Sequence, residues 1–178
     1  MLSRITPSDL PRQAILSECG KYRYRLDRSI MSPIGYKIFG YFGINPSTAD
    51  AEIDDATVRK WRGFTSRNGG CRFVVGNVFA YRATDVRQLK IAEIDVIENR
   101  QFLSEIIDEC DVLVPCWGNE DKAPKTLRFE LIELKSRLAR CGKPVLCFGR
   151  TQNGSPKHPL MLGYSTPLVP YLLGSEIR

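Results

Sequence analysis

Apolar positions fall into short dense runs separated by stretches with helical spacing, and that pattern sets the expected fold. Residues 1–20 carry two prolines and one short amphipathic stretch and read as irregular. Tyr22 to Ser29 (YRYRLDRS) alternates as a strand does. The turn Ser32-Pro33-Ile34-Gly35 leads into a second apolar run, Tyr36 to Ile44, and the two runs together predict a β-hairpin. The second run stops at Asn45-Pro46. Asp54 or Asp55 then caps a helix with Val58, Trp61 and Phe64 on one side, ended by Gly69-Gly70.

A short apolar strand over 72–76 opens into the polar, aromatic loop NVFAYRATD. In DVIENRQFLSEIIDEC, Leu103, Ile106, Ile107 and Cys110 share one helical face. DVLVPCWG is an almost wholly apolar strand, as expected when both of its faces are covered. Leu127, Leu131, Leu134 and Leu138 mark another helix, ended near Cys141-Gly142, and PVLCFG is the next buried strand. From Arg150 the chain is rich in proline and glycine and is expected to wrap the surface. Strand and helix thus alternate. The expected fold is α/β: a central, mainly parallel four-stranded sheet between two helical layers, with an N-terminal β-hairpin, in one domain over residues 1–178.

In such sheets ligands bind at the carboxyl ends of the strands. Asn45-Pro46-Ser47 ends the first parallel strand, Asn77 the second and Cys116-Trp117-Gly118 the third; the segment from Gly149 to His158 follows the fourth. A proline biases Asn45 toward extended backbone, so its amide can be held in one direction; Asn-Pro is also an ordinary turn starter. Asn77 has the paired donor and acceptor that read a base edge, or it stabilises its loop. Phe79 and Tyr81 are stacking platforms or core residues. His158, the one histidine, can donate a hydrogen bond to a leaving anion, or is structural. Asp50, Glu52, Asp54 and Asp55 read as helix-capping carboxylates or metal ligands; the metal alternative is a carboxylate-metal phosphoesterase using Asp50, Glu52 and Asp54.

Length and composition bound these readings. At 178 residues with 43% hydrophobic and 26% charged residues, the chain has the make-up of one globular domain. The net charge of +6 suits a polyanionic partner. No run approaches the ~20 apolar residues that cross a bilayer, and the N-terminus lacks a signal peptide's apolar core, so no membrane association and a cytoplasmic protein are expected. Six cysteines without a CxxC pair, beside a single histidine, argue against a zinc knuckle and for free, buried thiols.

Taken in order, Gly43-Ile44-Asn45-Pro46, Asn77 and His158-Pro159 resemble the motifs of the uracil-DNA glycosylase superfamily: G-x-[N/D]-P after the first strand, asparagine ending the second, and a late H-P. GINP is similar to the mismatch-specific and thymine-DNA glycosylase branch. NPSTADAEIDDATVRK, NVFAYRATD and HPLML resemble the family catalogued as domain of unknown function 1643, over about residues 20–165. The resemblance implies a uracil-DNA glycosylase-like fold and base excision from DNA by base flipping, without metal or cofactor, by a monomer. It implies that Asn45 positions a water, that Asn77, Ser47 and Phe79 hold the base, and that His158 stabilises the departing base. Lys157, Leu160, Met161 and Arg82 would contact DNA, with Leu160, Met161 or Leu162 as the intercalating wedge. Ser47 stands near where strict uracil enzymes carry a tyrosine that excludes a 5-methyl group, which implies a pocket for 5-substituted pyrimidines. The late motif lacks the superfamily's second proline and phosphate-pinching serine, and its iron–sulfur cysteine pattern is absent. Two other readings stand beside this one: a non-catalytic nucleic-acid-binding module, and an enzyme acting on free nucleosides or nucleotides.

Overall fold

The protein is described by a computed structural model over residues 12–31, 35–47, 49–83, 89 and 96–171. Five strands form one sheet: β1 (Arg12–Leu16), β2 (Arg23–Ser29), β3 (Lys37–Gly43), β4 (Gly70–Asn77) and β5 (Val112–Pro115), in the spatial order β1-β2-β4-β3-β5. β3 runs parallel to β4 on one side and to β5 on the other. β2 is antiparallel to β4, and β1 to β2. Beyond β5, Val145 bridges Leu113 in parallel just before the short β6 (Leu146–Cys147), so the parallel run continues past β5.

Alternate residues of the parallel strands face opposite ways, and each side has its own core. Phe39, Tyr41, Phe73, Val75, Val112 and Val114 pack with Val58, Trp61 and Phe64 of α1 (Ala56–Arg67). Phe42, Val74 and Leu113 pack against Leu103, Ile106 and Ile107 of α2 (Val96–Glu109) and Leu131, Leu134 and Leu138 of α3 (Arg128–Arg140). Helices therefore cover both faces. Each fully buried side chain of this size contributes about 1.5–3 kcal/mol. α2 lies so close over β4 that a Cβ on Gly76 would meet Leu103 Cδ2 at 2.7 Å.

The helix signals hold in detail. Asp55 is the N-cap of α1, its Oδ1 accepting from Val58 N at 2.9 Å, and Gly69 takes the left-handed turn after the helix at φ +74°. Asp54 instead pairs with arginines.

Three expectations are corrected. β2 and β3 do not pair as a hairpin: β3, apolar on both faces, has β4 and β5 on its two edges, and the charge-rich β2 takes the outer edge of β4. Residues 12–16, read as irregular, form β1 and supply the hairpin partner of β2, giving five strands in place of a four-stranded sheet with a hairpin. The tail does not simply wrap the surface. β7 (Val169–Pro170) pairs antiparallel with β6, and Tyr171 is buried edge-on against Trp117. The expected turn at 32–34 lies outside the described residues. All six cysteines are free, with Cys110, Cys116 and Cys147 buried; burial pushes the Cys116 thiol up to about 12. Among the described residues, no helix is long and apolar enough to cross a membrane.

Candidate functional site at the strand ends

The loops leaving β3, β4 and β5 are bonded to one another. Cys116 N donates to Phe42 O at 2.9 Å, Val78 N to Gly43 O at 3.0 Å, Phe79 N to Ile44 O at 2.9 Å and Ala83 N to Pro46 O at 2.9 Å. The half-buried Asn45 completes this knot, its Nδ2 donating to Ala83 O at 2.6 Å and to Pro46 O at 3.2 Å. With the nitrogen committed, Oδ1 is the end of the amide left to accept.

Asn77, at the last position of β4, is 2% exposed. It lies against Gly43, its register partner in β3; a Cβ on that glycine would meet Asn77 Oδ1 at 2.6 Å. Its backbone is braced by Asn99 of α2, whose Nδ2 donates to Asn77 O at 3.1 Å and Val78 O at 2.9 Å. Its own side-chain nitrogen is buried and has no partner among the described residues. Leaving such a donor unsatisfied costs about 1–3 kcal/mol, so the group calls for an explanation.

His158 reaches the same end of the sheet from the loop after β6. Gly118, at φ +78° beyond β5, donates its N–H to Pro156 O at 3.0 Å, and a Cβ there would meet His158 Cβ at 3.3 Å. The imidazole caps the 3-10 turn Pro159–Met161, Nδ1 accepting from Leu160 N at 3.3 Å. A neutral ring bonded this way carries its proton on Nε2, which is therefore a donor. Burial lowers the pKa of His158, opposed by Asp55 and assisted by Lys122, so the ring is neutral at neutral pH.

The other expected site residues separate. Ser47 is half-buried beside Pro46. Leu160 and Met161 project from the 3-10 turn, Met161 at 89% exposure. Lys157 folds over Gly149, where a Cβ would meet its ammonium at 3.8 Å. Arg82 donates from Nη1 to Gly20 O at 3.3 Å. Tyr81 is half-buried and packs edge-on against Tyr22. Phe79 is a fully buried residue of the core on the α2–α3 side of the sheet, so its ring offers no open face for stacking.

The acidic cluster organises the start of α1. Asp50 Oδ1 accepts from Glu52 N and Ile53 N, both at 2.9 Å, and Asp55 caps the helix. Asp54 takes three arginines: Arg28 at 2.7 Å, Arg12 at 2.8 Å and Arg62 at 2.9 Å. Among the described residues, no group of three or more metal-ligating side chains forms.

One residue of this region escapes a reading by alternation. Arg23 is 2% exposed beside the 45–50 loop, and its backbone N donates to Ala80 O at 2.9 Å, just past Asn77. A one-residue bulge aims it there, and a bulge leaves no mark in a simple apolar–polar pattern.

Fold and site together define a mixed α/β protein with a polar, partly unsatisfied cluster at the carboxyl ends of its parallel strands. The family model described as Protein of unknown function (DUF1643) matches residues 23–160, and the chain belongs to that family. No curated protein and no solved structure matches it.

Proposed function

We propose that the protein is a DNA glycosylase-like hydrolase with a uracil-DNA glycosylase-like α/β/α fold, excising a 5-substituted pyrimidine from a flipped nucleotide. The observation that carries this reading is the buried, unpartnered Nδ2 of Asn77 at the end of β4. A base edge supplies the acceptor that this donor lacks. The parallel run β4-β3-β5 with helices on both faces, and the motifs at its strand ends, support the fold assignment.

The chemistry follows from the two remaining groups. Asn45 Oδ1 accepts a hydrogen bond from a water and so directs the water's oxygen at the sugar C1′. The new C1′–O bond forms as the C1′–N1 bond breaks, and its electron pair leaves with the base. His158 Nε2–H donates to the oxygen on which that negative charge gathers, as a neutral donor in a water-poor site. An amide cannot take a proton, so the water's proton ends on the departing base or in solvent; the products are the free base and an abasic sugar. Ser47 in place of a bulky side chain supports room for a 5-substituent. Met161, with its high exposure beside the site, fits the wedge that fills the gap left by the flipped base.

The same absence of a general base at Asn45 favours a second reading, a nucleic-acid-binding module that does not cut. End-labelled oligonucleotides carrying uracil, 5-hydroxymethyluracil or bulkier pyrimidines, treated with alkali after incubation, separate the two. Cleavage by the wild type that is lost in Asn45→Ala, Asn77→Ala and His158→Ala is the expected result. Binding without cleavage on every substrate favours the module, and release of base from free nucleosides alone overturns both.

A further inference from the structure

Arg23, unlike the buried and ion-paired Asp27 and Arg28, is a buried charged group that neither base excision nor an ion pair among the described residues uses. In the β1–β2 ladder, Leu16 pairs with Arg23 and Ile15 with Arg25, so Tyr24 is an extra residue in β2. The bulge splits neighbours between faces. Tyr24 stacks on Phe102 of α2 and Arg25 pairs with Glu109 at the end of α2. Arg23 instead turns to the 45–50 loop, where its Nη1 donates to Ala49 O at 2.6 Å. Bulges that re-aim a side chain recur next to functional sites.

What Arg23 lacks is an anion. Among the described residues, its buried Nε has no hydrogen-bond partner and no carboxylate pairs with it. Arg12 Nε is likewise buried without a partner among the described residues, but its Nη2 pairs with Asp54 at 2.8 Å, and two other arginines fill the whole Nε–Nη2 edge. Arg25 donates from both atoms to Asp27, at 2.7 and 2.9 Å, and Arg100 does so to Glu130, at 2.9 and 2.6 Å. Asp50 and Asp55 lie within electrostatic reach of Arg23, but their Oδ1 atoms are taken by backbone N–H groups. Burial pulls the guanidinium down to about 10, so it stays charged at neutral pH. A buried charge without a partner is costly enough that folds rarely keep one idle.

We propose that Arg23 is the anchor of a phosphate-binding site at the strand ends, its Nε edge taking two oxygens of a phosphate group in the forked geometry that guanidinium favours. Asp55 and Asp50 bear on Arg23 as anions and Arg82 and Arg28 as cations, so the case for phosphate rests on the parallel donors that the Nε edge offers. This goes beyond base excision: the anchor binds whether or not a base is cut. The phosphate belongs either to a nucleotide unit or to free inorganic phosphate, and the arms of the test separate them.

The buried Nε–H gives a direct signal by nitrogen–proton NMR, assigned through its loss in Arg23→Lys. Inorganic phosphate, thymidine and thymidine 5′-monophosphate are titrated at constant ionic strength against chloride. The expected result is a saturable shift of the Arg23 signal with both phosphate-bearing ligands. Nucleotide bound about ten-fold tighter than phosphate and than thymidine assigns the site to a nucleotide unit; equal affinity for phosphate and nucleotide assigns it to free phosphate. No shift with either phosphate-bearing ligand overturns the proposal. So does a folded Arg23→Gln protein that binds phosphate with unchanged affinity. Phosphate is also expected to raise the melting temperature of the wild type and not that of Arg23→Gln, a difference that a purely structural role would not produce.

Discussion

β2 carries two buried arginines, and they are treated in opposite ways. Arg28, with a side chain 0% exposed, is saturated: Nε bonds Asp54 at 2.7 Å, Nη1 donates to Asp27 O and Gln13 O, and Nη2 donates to Asp50 O. Asp54 is shared with Arg12 of β1 and Arg62 of α1, so one carboxylate pins the edge hairpin to the helix. Arg23, at the other end of the same strand, makes one side-chain hydrogen bond and no ion pair among the described residues. Burial alone does not distinguish a staple from a ligand group. The difference lies in whether the donors are answered from within the fold.

The largest expected effect tests the staple. Asp54→Asn leaves the Arg28 guanidinium buried without its anion and is expected to cost about 3–5 kcal/mol in urea unfolding. Arg23→Gln in phosphate-free buffer is expected to stay within about 0.5 kcal/mol of wild type or to gain stability, because it removes an unanswered charge. Equal losses in the two variants would erase the distinction.

A smaller effect is expected at the strand ends. In Gly43→Ala the new methyl group would sit 2.6 Å from Asn77 Oδ1, so the amide must shift. A loss of about 1–3 kcal/mol in thermal or urea unfolding is expected, together with weaker nucleotide binding. Unchanged binding would remove Asn77 from the site.

The pH dependence sharpens the comparison further. Burial pushes the Asp54 carboxyl up, but the hydrogen bonds from Arg28, Arg62 and Arg12 outweigh it and hold the group below its ordinary value. Folding therefore favours the carboxylate. Its contribution is complete above the unfolded value of about 3.9 and is lost as the pH falls through the lower folded value. Melting temperatures followed downward through that range should drop for the wild type, and Asp54→Asn should lack that part of the drop. The smallest stability change is expected for the exposed Met161→Ala, within about 0.5 kcal/mol, while duplex DNA binding weakens if Met161 is the wedge.

Much of this molecule was legible along the chain. Apolar runs with helical or strand spacing marked α1, α2, α3 and the parallel strands, and Asp55 and Gly69 marked the ends of α1. The strand-end rule then put Asn45, Asn77 and His158 at one end of the sheet. These features rest on periodicity and capping, which act over a few residues and are written in their order. Tertiary structure alone decided that β2 lies beside β4, that residues 12–16 form an edge strand and that the tail adds β7 to β6. It also decided that Phe79 is enclosed, that Asp54 gathers three arginines and that Arg23 stands unanswered. Each of these depends on which strand edge is free and which distant group arrives to fill a hydrogen bond, and a one-residue bulge is enough to reverse a side chain's face.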